Sequence, residues 1–193
     1  ISLDPELLGD VLEDIRRVGR ATNKEEAAGS ITGQLQVRID VVTEKAAQAA
    51  RRPKVLQLEW VDPLMCGGHW VVEMVERAGG TSAFGCKETG SSRLGWEQIV
   101  ESQPEIIMLM PCGFDLKRAV EDVSLFSNLV GWDSLPAVRN DQAFIIDADA
   151  YTSRLGPRLV TGLEIMAEII HPELFSGMIP DGGAVRLSDV TGP

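Results

Sequence analysis

Short apolar runs alternate with helical stripes after Pro53, and this alternation constrains the fold more than any other feature of the sequence. The runs 105–110 (EIIMLM) and 143–147 (AFIID) are almost continuously apolar, which is typical of strands buried on both faces of a sheet. Helical stripes separate or follow the apolar runs, and they cover residues 69–78, 96–102 and 158–170. Since parallel strands need a crossover that is usually a helix, this order predicts an α/β domain with a mostly parallel sheet.

A long helical stripe precedes this domain. Apolar residues recur every three or four positions between 24 and 50, and a helix over that range would be about 40 Å long. Such a helix either connects two bodies or packs along one domain. A shorter helix, introduced by Pro5 and ended near Gly19, comes before it. The pattern predicts two helices in 1–52, an α/β lobe in 53–175 and an irregular, glycine- and proline-rich tail in 176–193.

The charge balance excludes several classes of function. The chain has 18 basic and 29 acidic residues, which gives a net charge of -11. Nucleic-acid binding needs clustered lysine and arginine, so we expect no nucleic-acid partner. No stretch approaches the roughly 18 consecutive apolar residues of a membrane span, so we expect a chain that does not cross a membrane.

Three loops follow the predicted strands, and a ligand is expected there because ligands of open α/β sheets bind beyond the carboxyl ends of the strands. The loops cover residues 60–70, 111–115 and 147–158, and they are rich in aromatic and small residues. That composition suits a broad ligand held by stacking and van der Waals contact, with few polar anchors. Tyr151, the only tyrosine, is a candidate ligand platform, whereas Trp60 and Trp70 are either platforms or core residues.

Enzymatic motifs are missing from these loops, since no G-x-S-x-G elbow, phosphate-binding loop or dinucleotide fingerprint follows a strand. Cys66 or Cys112 paired with His69 would make a nucleophile and base, but nothing in the spacing requires catalysis, so we expect no enzyme activity. The same side chains offer a metal alternative, because Cys66-x-x-His69 resembles half of a zinc site and Cys112 would supply a third ligand. With Cys86 the chain has three cysteines, which cannot all pair with one another.

Several motifs in a fixed order resemble the C-terminal lobe of substrate-binding proteins of ABC importers, in the class that takes up cobalamin, ferric siderophores and haem. The motifs are VLQLEW at 55–60, Asp62-Pro63, Gly68-His69-Trp70, Ala78-Gly79-Gly80, PEIIMLMPCGFDL at 104–116 and RLGPRLV at 154–160. The resemblance covers roughly residues 3–175. It implies a Rossmann-like lobe preceded by a long connecting helix, with the N-terminal lobe of the two-lobed fold absent. We therefore expect a C-terminal fragment that lacks half of the ligand cleft and exposes apolar surface where the other lobe packs.

The resemblance also implies a function and a set of ligand-binding residues. The residues at matching cleft positions are Trp60, His69, Trp70, Cys112, Gly113, Phe114, Tyr151 and Arg154. The implied ligand is a corrinoid such as cobalamin, with haem or a ferric siderophore as alternatives and no covalently bound cofactor. The implied partner is an ABC permease, which acidic surface residues would contact. The implied location is extracytoplasmic, and a cytoplasmic protein that binds a corrinoid, haem or a ferric chelate remains the alternative because no signal segment is visible.

Overall fold

A seven-stranded sheet with helices on both faces forms the centre of the computed structural model, which describes residues 1–85, 87–122 and 129–191. The strands are β1 (Lys54–Val61), β2 (Leu64–Cys66), β3 (Thr81–Ser82), β4 (Ser92–Arg93), β5 (Ile106–Leu109), β6 (Ala143–Ile146) and β7 (Ala184–Arg186). The helices before the last central strand are α1 (Leu8–Ala21), α2 (Glu25–Ala46), α3 (His69–Arg77), α4 (Trp96–Ser102), α5 (Leu116–Glu121) and α6 (Pro136–Arg139). The helices after it are α7 (Ala148–Tyr151), α8 (Arg158–Ile170) and α9 (Leu187–Thr191).

Parallel pairing holds the middle of the sheet. β1 pairs with β5 and β5 pairs with β6, all in parallel, and β3 runs parallel to the start of β1. β2, β4 and β7 are antiparallel additions at the two sides, so the strand order is β4-β2-β1-β5-β6-β7. Because β1, β5 and β6 run in the same direction, their carboxyl ends meet at one edge of the sheet. The predicted α/β fold with its mostly parallel sheet is confirmed.

Alternate residues of the central strands enter two separate cores. Ile106 and Met108 of β5 pack with α1, α2, α3 and α8 on one face, whereas Ile107 and Leu109 pack with α4, α5, α6 and α9 on the other. This alternation follows from strand geometry, in which successive side chains point to opposite faces. It explains why the sequence of β5 is continuously apolar, since both of its faces are covered.

Polar contacts fix α1 and α2 to the lobe. Oε2 of the buried Glu73, in α3, accepts a hydrogen bond of 2.7 Å from the backbone N–H of Leu8, at the start of α1. Arg38 of α2 forms an ion pair of 2.5 Å with Glu164 of α8 and also donates to Thr161 at 2.9 Å. The two helices therefore form one body with the lobe.

The helices differ from the sequence prediction mainly in length. α2 has 22 residues and ends at Ala46 rather than 50, so it is about 33 Å long. α5 begins at Leu116 and ends at Glu121, and residues 123–128 lie outside the described residues, as does Cys86. None of the helices in the described ranges is long and apolar enough to cross a bilayer.

The structure corrects the irregular tail predicted for residues 176–193. Residues 184–186 form β7, which pairs antiparallel with β6, and α9 follows it directly. Leu187 at the start of α9 is buried in the core on that side of the sheet. Most of the glycines and prolines that suggest irregular structure precede these elements, at 177–183, and β7 is too short for a periodic pattern.

Candidate functional site

A cavity of about 150 Å³ lies at the carboxyl edge of the central strands. Its lining comes from the end of β1, the start of α3, the loops after β5 and α7, and one residue next to β4. The lining residues are Glu59, Gly68, His69, Trp70, Ser91, Cys112, Thr152 and Ser153. The structure therefore brings together three of the predicted ligand-binding residues, His69, Trp70 and Cys112, with four polar residues that the sequence analysis did not single out.

Hydrogen bonds tie the three predicted loops into one platform. The N–H of Cys112 donates to the carbonyl of Glu59 at 2.9 Å, which joins the loop after β5 to the end of β1. The N–H of Gly113 donates to Oγ of Ser153 at 3.0 Å, which joins the same loop to the segment after α7. Gly113 has a φ of +76°, a backbone conformation that favours glycine. These bonds set the positions of the loops from which a ligand would be held.

An aromatic pair lies at the same edge of the sheet as the cavity. The rings of Trp60 and Phe114 meet edge to face, with centroids 5.4 Å apart and an interplanar angle of 60°. The guanidinium of Arg118 lies over the Phe114 ring, 4.5 Å from its centroid. Trp60 follows Glu59 in β1, but neither ring lines the cavity, so the half-buried pair adds apolar surface to the same edge of the sheet.

The start of α3 places His69 and Trp70 in the lining of the cavity. Their rings stack at 6.2 Å with an interplanar angle of 20°, and Nε1 of Trp70 donates to the carbonyl of Thr152 at 2.9 Å. Gly68 is required here, because a Cβ on it would lie 2.1 Å from the carbonyl oxygen of Thr89. Nδ1 of His69 is buried and has no hydrogen-bond partner in the described part of the chain. The bond to Thr152 indicates that Trp70 is partly structural, since it ties α3 to the loop after α7.

Glu59 gives the cavity its electrostatic character. The half-buried carboxylate accepts a hydrogen bond from Oγ of Ser91. Burial raises the pKa of Glu59 above its ordinary value, and the Ser91 hydrogen bond and the nearby His69 oppose that rise. No described lining residue is a lysine or an arginine. The lining therefore presents a carboxylate and several hydroxyl groups, with neither a lysine nor an arginine among the described residues.

Five predicted residues lie outside the cavity lining, and they are Trp60, Gly113, Phe114, Tyr151 and Arg154. The half-buried ring of Tyr151 packs against the core on the α1, α2 and α8 side of the sheet. Arg154 is exposed and forms an ion pair of 2.6 Å with Asp149. None of the contacts described tests a role in ligand binding for these five residues, so those roles stay predictions.

The alternative metal site is not assembled. His69 and Cys112 line the same cavity, but Cys66 is fully buried and its Sγ lies 3.2 Å from Oγ of Ser92. Over residues 1–85, 87–122 and 129–191, no group of three or more histidine, cysteine, aspartate or glutamate side chains is arranged to hold a metal ion. The spacing of Cys66 and His69 failed as a signal because the end of β2 turns the thiol into the core.

An apolar groove of about 290 Å³ lies between α1, α2 and the start of α8. Leu3, Val18, Ile31 and Leu155 line it and are between 42% and 48% exposed. Exposed groups of large apolar residues are typical of surfaces that another protein surface covers. The groove is the kind of apolar surface that the resemblance led us to expect.

A buried carboxylate also lines this groove. Oδ1 of Asp14 accepts a hydrogen bond of 2.7 Å from Arg17, while Oδ2 is buried without a partner among the described residues. An unpaired buried oxygen is costly, so the groove favours an occupant that brings a hydrogen-bond donor along with apolar side chains.

Comparisons with known proteins give a consistent result. A sequence model of the periplasmic binding protein family matches residues 2–150. An uncharacterized ABC transporter substrate-binding lipoprotein of Bacillus subtilis is 24% identical over 177 residues, which are 89% of this chain and 53% of the relative. A vitamin B12-binding protein of Vibrio cholerae is 29% identical over 98 residues, which are 50% of this chain and 32% of the relative. Both are named as binding proteins, in agreement with the expectation that the chain is not an enzyme.

Solved structures of binding proteins superpose on this chain, which agrees with the α/β fold described above. A Staphylococcus aureus protein solved in complex with haem superposes with a TM-score of 0.75 at 18% identity, covering 88% of this chain and 67% of that one. The chain spans about half the length of the Bacillus relative, at 53%.

Proposed function

This chain belongs to the periplasmic binding protein family, and we propose that it forms the C-terminal lobe and connecting helix of an ABC-importer protein that binds a corrinoid such as cobalamin. The observation that carries the proposal is the platform at the carboxyl edge of β1, β5 and β6, which holds both an aromatic pair and a polar cavity. A corrin ring is broad and flat, with apolar faces and a polar rim. Such a ligand suits apolar surface for its faces and a few fixed polar groups for its rim.

A second lobe on the other side of the ligand is part of the proposal. The Bacillus relative is nearly twice as long as the matched region, which is 53% of its length. The apolar groove beside α1 and α2 supports this arrangement, since it borders Leu155 in the third cleft loop. Val37 and Val41, farther along α2, are also more than half exposed, at 61% and 51%. This surface would pack against the second lobe, and the chain alone would bind the ligand through one wall only.

The proposal also covers the partner and the location of the protein. We infer delivery of the ligand to an ABC permease, contacted through acidic surface residues, and an extracytoplasmic location. Support comes from the relatives, since the Bacillus protein is named a lipoprotein of an ABC transporter. The cytoplasmic alternative makes a different prediction, because such a protein would bind its ligand without a permease partner.

A titration tests the ligand. The chain is titrated with dicyanocobinamide, haemin and a ferric hydroxamate while tryptophan fluorescence and visible absorption are followed. We expect saturable one-to-one binding of the cobinamide, weakened about tenfold or more by Trp60→Leu because a large aromatic contact is lost. Trp96→Leu is the matched control, since Trp96 is also half-buried but stacks on Trp132 in the core beside α4.

Each outcome has a defined meaning. Binding of haemin or the ferric hydroxamate in place of the cobinamide would overturn the corrinoid assignment and keep the binding-protein assignment. If no corrinoid binds either to this chain or to a longer protein that adds the second lobe, the proposed function is wrong.

A further inference from the structure

Among the polar groups that line the cavity, Glu59 offers a hydrogen-bond acceptor and Ser153 offers a hydrogen-bond donor. Oε2 of Glu59 is occupied by Ser91, while no described residue donates to Oε1. Oγ of Ser153 accepts from the N–H of Gly113, and this leaves the Ser153 hydroxyl proton free to donate. Both side chains line the same cavity. The complementary group would carry a donor and an acceptor close together.

A carboxamide has this combination, since its NH₂ donates and its C=O accepts. The cavity, at about 150 Å³, has room for several waters and therefore for the four heavy atoms of a –CH₂–CONH₂ arm. A carboxylate of the same shape fits the space but not the chemistry. It has no proton to give to Glu59, and its charge would repel that of Glu59.

No lysine or arginine lines the described cavity to offset this repulsion. The titratable side chains that line the cavity with it are His69 and Cys112. Two arginines stand near the platform, but each already pairs with a carboxylate. Arg154 pairs with Asp149 at 2.6 Å, and Arg118 pairs with Asp122 at 2.8 Å.

We propose that this cavity is a subsite for an uncharged carboxamide arm of the ligand and that Glu59 excludes ligands that place a carboxylate there. The inference rests on the proposed corrinoid function and deepens it. Corrinoids carry carboxamide arms around the ring, whereas haem carries propionates. The subsite therefore selects amide-bearing macrocycles over acidic ones through one residue at the end of β1.

Two corrin ligands test the subsite at pH 8, well above the ordinary pKa of a glutamate side chain. One is dicyanocobinamide, and the other is a corrin whose carboxamide arms have been hydrolysed to carboxylates. We expect the unmodified chain to prefer the amide corrin by at least about tenfold. Glu59→Gln should reduce that preference to about threefold or less, mainly by tightening the binding of the acidic corrin.

The matched control is Glu44→Gln, which removes the same charge from an exposed position on α2. It should leave the preference unchanged, and this separates a local effect from the overall charge of -11. If the unmodified chain binds the amide corrin and Glu59→Gln shows the same preference, the subsite inference is wrong while the proposed function stands. If neither this chain nor a longer protein with the second lobe binds either corrin, the proposed function is wrong and the subsite falls with it.

Discussion

The backbone N–H of Gly113 and the hydroxyl oxygen of Ser153 lie 3.0 Å apart, and this hydrogen bond joins loops that are 40 residues apart in sequence. The bond places the loop after β5 against the segment after α7. It also orients the Ser153 hydroxyl, because an oxygen that accepts from an N–H directs its own proton elsewhere. One contact therefore shapes the platform and sets the donor that faces a ligand.

Replacing Ser153 separates these two roles. We expect Ser153→Ala to weaken cobinamide binding about three- to tenfold, since a hydrogen bond contributes about 1 kcal/mol. Ser153→Thr keeps the hydroxyl and should bind almost as well as the unmodified chain. Isothermal titration provides the affinities, and Ser188→Ala, at an exposed position in α9, is the control. Equal affinities for all four proteins would contradict the assignment of Ser153 to the site.

The ion pair between Arg38 and Glu164 holds α2 against α8, with an N–O distance of 2.5 Å. Arg38→Ala should lower the free energy of unfolding by about 1–2 kcal/mol, because the pair is bidentate and partly shielded from water. Urea unfolding followed by tryptophan fluorescence measures the change. A double-mutant cycle with Glu164→Ala isolates the pair itself.

A control for this prediction lies on α1. Arg16 pairs with Glu13 at 3.5 Å, and both side chains are exposed. Arg16→Ala should therefore change the free energy of unfolding by less than about 0.5 kcal/mol. If Arg16→Ala lowers the free energy of unfolding as much as Arg38→Ala does, overall charge and not the contact between α2 and α8 determines stability.

Sequence patterns predicted the central elements well because the physical signal there is local. β5 and β6 are covered on both faces, so their residues are continuously apolar. α8 was predicted with its observed bounds, Arg158–Ile170, because prolines flank both of its ends. β2, β3 and β4 have only two or three residues each, and no periodic pattern can develop over that length.

The sequence predicts part of the candidate site because the signal for that part is also local. Cys112 stands in the loop after β5 and His69 begins α3, and both lie where ligands of α/β sheets are expected. Glu59 was missed because it lies inside β1. Its environment depends on Ser91, a residue 32 positions away, and such a contact leaves no local pattern. The available signal was an acidic residue at the carboxyl end of an otherwise apolar strand.

The apolar groove predicts binding of a hydrophobic dye. Val18→Ser with Ile31→Ser should reduce the fluorescence of bound anilinonaphthalene sulfonate by about half or more, because two walls of the groove become polar. Val130→Ser is the matched control, since Val130 is 91% exposed and does not line the groove. Equal dye binding by the double variant and the control would contradict a contiguous apolar surface. A longer protein with the second lobe should bind less dye than this chain.

The pKa of Glu59 predicts how stability changes with pH. Burial raises this pKa in the folded state, so at intermediate pH the folded chain holds a proton at Glu59 that the unfolded chain has released. The contribution of Glu59 to stability is therefore most favourable below its ordinary pKa and falls as the pH rises through the folded-state pKa. Glu59→Gln cannot ionise, so this variant should become more stable relative to the unmodified chain between pH 4 and pH 8.

Urea unfolding of both proteins at several pH values measures that difference, and Glu44→Gln serves as the exposed control. The relative stability of Glu44→Gln should stay nearly constant over the range, because the Glu44 side chain is exposed to solvent in the folded chain as it is in the unfolded chain. A relative stability of Glu59→Gln that falls with pH would mean that Ser91 and His69 outweigh burial and hold the carboxylate ionised. Glu59 would then act as a fixed anion at acidic pH as well, and its exclusion of carboxylates would extend to lower pH.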